Sequence, residues 1–253
     1  MSKRLTDMRI VSRRHLRGGM WVLDLESADG SALPPILPGQ FAQVKIEGTL
    51  LRRPISICDV LSPTTLRMLV RPVGDATRRL CEAPEGSVFN LLLPLGNGFE
   101  LPAAGAKTLL VGGGVGCAPL SMLCRLLLEA GAEVTVAIGA RTEADIDGLP
   151  ELYNGAEVAV STDDGSAGLH GLVTELPVFG RTYDMIYVCG PTPMMKAVAR
   201  IARRSDTPCV VSLENMMACG LGACLCCVEK TVRGNVCVCT EGPVFDITEL
   251  TWQ

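Results

Sequence analysis

The chain has 253 residues, a net charge of -4 and 48% hydrophobic residues, enough apolar content for packed cores and too much for a disordered chain. Aromatic residues make up only 4%, and the basic residues include scattered pairs such as Arg13-Arg14, Arg52-Arg53, Arg78-Arg79 and Arg203-Arg204, so a nucleic-acid surface of clustered cations and stacking rings is excluded. The opening Met1-Ser2-Lys3-Arg4-Leu5-Thr6-Asp7 leads into no apolar leader core, and twelve cysteines in such a chain predict a reducing, cytoplasmic setting where thiols bind metal rather than pair as disulfides.

Residues 8–101 read as β structure. The runs at 20–25, 41–46 and 65–70 show partial apolar–polar alternation and are separated by Gly, Pro, Asp and Ser. Regular short strands of this kind predict a small antiparallel barrel, with the proline-rich stretch 33–39 as a connection, because proline cannot continue a central strand. Within this block Arg53-Pro54-Ile55-Ser56 would turn a cation toward a phosphate and a hydroxyl toward a ring nitrogen, although an Arg-Pro pair is also an ordinary surface-strand opening. Downstream of Leu69-Val70-Arg71, a short helix predicted at 78–81 leaves Thr77 and the amides around Ala76 before its first turn, as an anion site or as a simple cap.

After a loop at 94–99 the pattern changes. Strands at 108–111, 133–138, 157–161, 185–189 and 209–213, with helices at 119–130 and 193–204, predict a parallel α/β domain. The most apolar long window, 109–128, is broken by Gly112, Gly113, Gly114, Gly116, Pro119 and Arg125, and so is no membrane span. Its glycines end the first strand and precede a helix, where bare backbone suits a pyrophosphate. A Rossmann fingerprint would want Gly or Ala at 117, so Cys117 makes this a nucleotide loop of a different register. The acidic ribose clamp expected after the second strand is replaced by Gly139-Ala140-Arg141, which leaves NAD and NADP unseparated. Cys189-Gly190-Pro191 closes another strand at the same carboxyl edge; Cys189 and Gly190 would bracket a nicotinamide, or Gly-Pro would simply break the chain before the next helix.

The densest chemistry lies at 214–239. Cys219, Cys224 and Cys227 stand at the C-x4-C-x2-C spacing of plant-type 2Fe-2S sites, with Gly220, Gly222 and Ala223 letting the backbone curl around an inorganic core. A zinc ribbon is the rival, but it wants a second C-x2-C pair where this chain has Cys237-Val238-Cys239. Gly234-Asn235 reads as a hairpin turn between β-prone runs at 228–233 and 236–240. If Arg233 pairs with Val236, Cys239 faces Lys230 and lies roughly 7 Å nearer to Cys227 than Cys237 does, which selects Cys239 as the fourth ligand. Cys226 reads as a small apolar filler. His15 and His170 are far apart in sequence, no catalytic triad is visible, and the chemistry would rest on cofactors rather than on a catalytic side chain.

These pieces, in this order, resemble the ferredoxin reductase superfamily and, more narrowly, the electron-transfer subunits of class 1B dihydroorotate dehydrogenase, over essentially the whole chain. The carrying motifs are Arg53-Pro54-Ile55-Ser56, Leu69-Val70-Arg71 with Ala76-Thr77, the segment 94–99, the glycine loop 112–120, Cys189-Gly190-Pro191, the cysteine stretch and Cys239-Thr240-Glu241-Gly242-Pro243-Val244-Phe245. The resemblance implies a multidomain β and α/β protein: an FAD-binding antiparallel β-barrel (1–102), a parallel α/β NAD-binding domain (103–212) and a 2Fe-2S segment (213–253). It implies that Arg53, Pro54, Ile55, Ser56, Leu69, Val70, Arg71, Ala76 and Thr77 hold FAD. Gly112, Gly113, Gly114, Gly116, Cys189, Gly190 and Pro191 would serve NAD, and Cys219, Cys224, Cys227 and Cys239 the cluster. The family usually has Gly-Thr at Ala76-Thr77, where a methyl group would crowd phosphates if position 76 needed a positive φ. Also implied is an FMN-containing dihydroorotate-oxidising partner in a two-plus-two heterotetramer serving pyrimidine synthesis. Alternatives are a subunit of an electron-bifurcating NAD(P)–ferredoxin oxidoreductase or hydrogenase diaphorase, and a zinc-stapled nucleotide-binding regulator.

Overall fold

In the computed structural model, which describes residues 3–252, the N-terminal strands show the two-residue period of a sheet with one dry face. β1 (Arg4–His15) buries Met8 and Ile10 while Arg9 and Val11 face solvent, and β2 (Trp21–Ser27) buries Leu23 and Leu25. With β3 (Phe41–Lys45), β4 (Arg53–Ser62), β5 (Thr65–Val70) and β6 (Val88–Leu95) they close an antiparallel barrel in the order β1-β2-β5-β4-β3-β6. Helix α1 (Asp75–Glu82) packs Ala76, Leu80 and Cys81 into the barrel core. It begins three residues before the predicted helix, because Thr77 is its third residue: the Thr77 hydroxyl accepts from the amides of Val73 and Gly74 at 3.0 and 3.2 Å.

The second unit is a seven-stranded sheet. β7 (Lys107–Gly113), β8 (Glu133–Ala140), β9 (Glu157–Thr162), β10 (Leu169–His170), β11 (Met185–Cys189) and β12 (Cys209–Ser212) run parallel in the order β10-β9-β8-β7-β11-β12. α2 (Ala118–Glu129) and α3 (Thr192–Arg204) cover opposite faces. Strand order reverses between β7 and β11, and ligands bind at such a switch point in open α/β sheets.

The cysteine stretch leads to a hairpin, β13 (Val228–Thr231) and β14 (Gly234–Cys237), a single turn α4 (Val238–Glu241), and β15 (Val244–Asp246), which pairs antiparallel with β12 as the sheet's last strand. The hairpin register differs from the sequence expectation. Thr231 pairs with Gly234, so Val232-Arg233 is the turn, and Cys237 faces Val228. The Thr231 hydroxyl donates to the Gly234 carbonyl at 2.8 Å and accepts from the Arg233 amide at 3.2 Å, and the Val232 amide donates to Glu249 O. This local bonding outweighs the turn preference of Gly-Asn.

Barrel and sheet are joined by α2. Arg125 grips Asp59 of β4 through Nε (3.2 Å) and Nη2 (2.7 Å), with the carboxylate largely buried. Arg125→Ala should cost about 2 kcal/mol for the lost charge-assisted bonds and lower the melting temperature by about 4–8 °C. Thermal melts of the purified protein at two salt concentrations check this, and an unchanged midpoint would show that the pair is idle.

Candidate functional site

The opening of β4 and the end of β5 lie side by side at one rim of the barrel. Arg53, Pro54, Ile55 and Ser56 with Leu69, Val70, Arg71 and Thr77 line a cleft of about 390 Å³, closed on its other side by Val115, by Ser212 through Met217, and by Pro243. Pro54, Ile55, Leu69 and Met217 offer apolar walls for a flat ring, and Arg53 and Arg71 offer cations for phosphates, so the residues present suit a flavin nucleotide. Ala76 does not reach this cleft. It sits inside a right-handed helix with its methyl in the barrel core, so no positive φ arises there and nothing crowds the cleft from that position. Thr77 does reach it, though its hydroxyl is engaged in capping α1.

A second cleft of about 530 Å³ opens at the switch point. Gly113 and Gly114 from the end of β7 and Gly190 and Pro191 from the end of β11 line it, together with Gly139, Arg141, Asp145 and Asp163. The other predicted residues stand behind this wall for steric reasons. A β-carbon on Gly112 would meet Cys117 Sγ at 2.6 Å, so Gly112 makes room for the buried Cys117 thiol. A β-carbon on Gly116 would meet the Cys189 carbonyl oxygen at 2.5 Å and Gly190 Cα at 2.7 Å, so Gly116 lets the two nucleotide loops touch. Cys189 is itself fully buried, and burial pushes its thiol well above the ordinary range.

Sequence reasoning missed three residues here. Asp145, in a one-turn helix after β8, binds Arg71 Nη2 at 3.2 Å and so links the barrel to the sheet across the cleft. Val115 and Glu214 line both clefts, as does Arg71, so these three mark where the clefts meet. Glu214 is open to solvent in the cleft yet ringed by protein, which raises its carboxyl pKa by desolvation. A carboxylate immediately before the cysteine stretch was the available signal.

The cysteine loop is wound by residues with left-handed backbone: Gly220 (φ 70°), Gly222 (φ 81°) and, unusually for a side-chain residue, Leu225 (φ 55°). This winding turns amides inward onto sulfur. The Leu221 N–H donates to Cys219 Sγ at 3.3 Å, the Gly222 N–H to Cys239 Sγ at 3.2 Å and the Cys239 N–H to Cys227 Sγ at 3.4 Å. The Leu221 amide, helped by Cys224 and opposed by desolvation, draws the Cys219 thiol down to about 6, into thiolate at neutral pH. Burial, and then contact with Cys227, push Cys239 up to about 12, a proton that metal ligation would displace.

Cys237 differs from Cys239 in the sense of its hydrogen bond: its thiol donates toward the Gly222 carbonyl at 3.9 Å, whereas the Cys239 sulfur accepts from the Gly222 amide. An accepting sulfur suits a thiolate ligand. Cys239 therefore lies beside Cys227 through the α4 turn, not through the expected hairpin register. Among the described residues no three His, Cys, Asp or Glu side chains converge on a point fit for one ion. A 2Fe-2S core, which spreads four thiolates over two irons, demands less convergence than a mononuclear zinc cage. Cys226, read from the sequence as a small apolar filler, is exposed.

Comparison with known proteins bears directly on this arrangement. The family model for the iron-sulfur cluster binding domain of dihydroorotate dehydrogenase B matches residues 214–251, and that for the oxidoreductase NAD-binding domain matches residues 110–200. The dihydroorotate dehydrogenase B (NAD(+)) electron transfer subunit of Desulforamulus reducens is 39% identical, with both chains covered completely. The chain belongs to this family. The counterpart from Shouchella clausii is 40% identical over 84% of this chain and 86% of its own. Among solved structures, a chain of the NADH-dependent reduced ferredoxin–NADP oxidoreductase, studied for flavin-based electron bifurcation, superposes with a TM-score of 0.86 at 32% identity, covering 97% of this chain and 90% of that one. Phthalate dioxygenase reductase, at 19% identity with a TM-score of 0.67 over 97% of this chain and 96% of its own, shares the fold. The fold is thus that of ferredoxin reductases, and the segment matched by the iron-sulfur model contains the six cysteines from Cys219 to Cys239 together with Glu214.

Cys239→Ser should lose the cluster while Cys237→Ser keeps it; iron content and visible absorption of the two purified variants decide. Gly116→Ala should weaken NADH binding at least about tenfold by prising the two loops apart, given the cost of overpacking, without loss of flavin or iron. Titration of NADH against flavin fluorescence measures this, and unaltered binding would show that the loop contact is dispensable.

Proposed function

We propose that this chain takes electrons from an FMN-containing partner subunit that oxidises dihydroorotate to orotate, and delivers them to NAD+, in de novo pyrimidine synthesis. The observation that carries the reading is the linear order of the sites. The nicotinamide cleft meets the flavin cleft at Arg71, Val115 and Glu214, and the far wall of the flavin cleft is Met216-Met217, two residues before Cys219. When bound, the cluster carries electrons singly and FAD gathers them in pairs for transfer to NAD+ as a hydride.

The chain's own residues do the positioning. Arg53 and Arg71 attract the flavin phosphates, Gly113 and Gly114 offer bare backbone to the pyridine nucleotide, and the amides of Leu221 and Gly222 donate to the sulfurs of Cys219 and Cys239. Cys219, Cys224, Cys227 and Cys239 are the ligand set we assign. Met216 is 83% exposed, and Leu221, Cys224 and Leu225 are exposed a few residues on; we assign these apolar side chains of the cysteine stretch to docking the FMN subunit. Met217 instead packs against the core. Two copies of each subunit, in the cytoplasm, complete the reading; among the described residues no helix is long and apolar enough to cross a membrane.

The likeness to the bifurcating oxidoreductase chain supports a second reading, in which reduced ferredoxin rather than dihydroorotate supplies the electrons. Anaerobic co-expression with a candidate FMN-dependent dihydroorotate-oxidising subunit separates the two. Dihydroorotate-dependent NADH formation that vanishes without this chain is expected. A complex with full flavin and iron that forms no NADH would transfer the assignment to the ferredoxin-linked reading.

A further inference from the structure

Gln43 is a costly residue with no visible return inside the barrel. It is fully buried on β3, and neither its Nε2 nor its Oε1 has a hydrogen-bond partner. A buried carboxamide left unpaired is destabilising, a cost that a leucine at the same place would avoid. Alternation along the strand shows where the side chain faces. Ala42 and Val44 enter the barrel core, while Phe41, on the same face as Gln43, belongs to the separate core that includes Leu95, Cys227 and Cys239. Gln43 thus leaves the barrel on the side of the cysteine loop.

It meets that loop at Gly220. A β-carbon on Gly220 would stand 2.8 Å from Gln43 Cγ and 3.1 Å from Nε2, so the loop tolerates only glycine beside this carboxamide. Gly220 lies between Cys219 and the Leu221 amide that bonds the Cys219 sulfur. The Gln43 backbone, meanwhile, pairs with Pro54 in the wall of the flavin cleft, and its carbonyl accepts from Arg52 Nη1 at 3.1 Å. One residue therefore spans from the flavin wall to the glycine that follows the first cysteine.

We propose that the Gln43 carboxamide donates an N–H to the sulfur shell of the 2Fe-2S centre on its Cys219 side, as a positioning residue that sets the centre's reduction potential. The proposal rests on the cluster reading above. Sulfur in this shell only accepts, so the amino group faces it; a buried carbonyl oxygen is the better tolerated half to leave unpaired. Reduction adds negative charge, a donated hydrogen bond favours the charged form, and hydrogen bonds to sulfur are among the determinants of cluster potential.

Two measurements on the complete holoprotein test this. Gln43→Leu and Gln43→Met should each lower the cluster midpoint by about 59 mV, a tenfold change for a one-electron couple, with iron and flavin content unchanged, in an EPR-monitored titration. A glutamine that merely packs would shift the melting temperature and leave the midpoint in place. The chain has only three glutamines, and Gln40 Nε2 is already committed to the Gly96 carbonyl at 2.7 Å. Parent protein labelled with 15N at glutamine side chains should therefore show nitrogen coupling to the reduced cluster in pulsed EPR, and this readout stands even if both variants fail to fold. A cluster signal of full intensity with no such coupling, or with an unmoved midpoint in the variants, overturns the role of Gln43 alone. Absence of any 2Fe-2S signal from the parent overturns the cluster reading itself.

Discussion

One continuous apolar core, in which Phe41 and Leu95 of the barrel meet Cys227, Val238 and Cys239 of the cysteine segment and the α3 side of the sheet, holds the three parts of this chain in register. Electron transfer depends on fixed spacing between redox centres. Close-packed interiors supply that, because a core at crystal-like density resists small displacements. Cys227 and Cys239 are rooted in this core, whereas Cys224 is at the surface. The cysteine loop is thus anchored on the flavin side and open on the other, which gives electrons an outward face without loosening the inward one.

The nucleotide loop shows how a departure from a common pattern is absorbed. Cys117 stands where a dinucleotide fold ordinarily has a glycine or alanine, and its thiol fits because Gly112 lacks a side chain on the facing strand. The Tyr153 hydroxyl donates to the Cys117 carbonyl at 2.7 Å inside the same apolar cluster, which gives the buried phenol its partner. The glycines of this loop therefore divide their work: some face the cleft, and others let backbone and sulfur pack behind it.

Much of this was legible in the sequence because it rests on periodicity and on short-range chemistry. The parallel domain declares itself through strands and helices that alternate at regular spacing, and the cysteine spacing limits the metal chemistry to few choices. What depended on contacts between distant residues was hidden. The hairpin turn fell at Val232-Arg233 because Thr231 and Glu249 supply bonds there, against the local preference of Gly234-Asn235. The twelve-residue β1 is obscured by its outward arginines. Asp145, Val115 and Glu214 acquire meaning only when two clefts meet, and the burial of Gln43 against Gly220 has no signature in a strand that otherwise reads as ordinary barrel wall.

The position of β15 carries a consequence for biogenesis. It follows the cysteine loop in the chain but completes the sheet of the preceding domain by pairing with β12. During translation β12 therefore waits as an open edge until the whole cysteine loop has emerged, and an open edge invites pairing with other chains. In the folded chain β15 covers that edge, and α4, just before it, sets the Cys239 amide against Cys227 Sγ. The turn that carries Cys239 and the strand that seals the sheet are thus one short stretch of chain, so the seating of Cys239 and the covering of the β12 edge are tied together by residues 238–246.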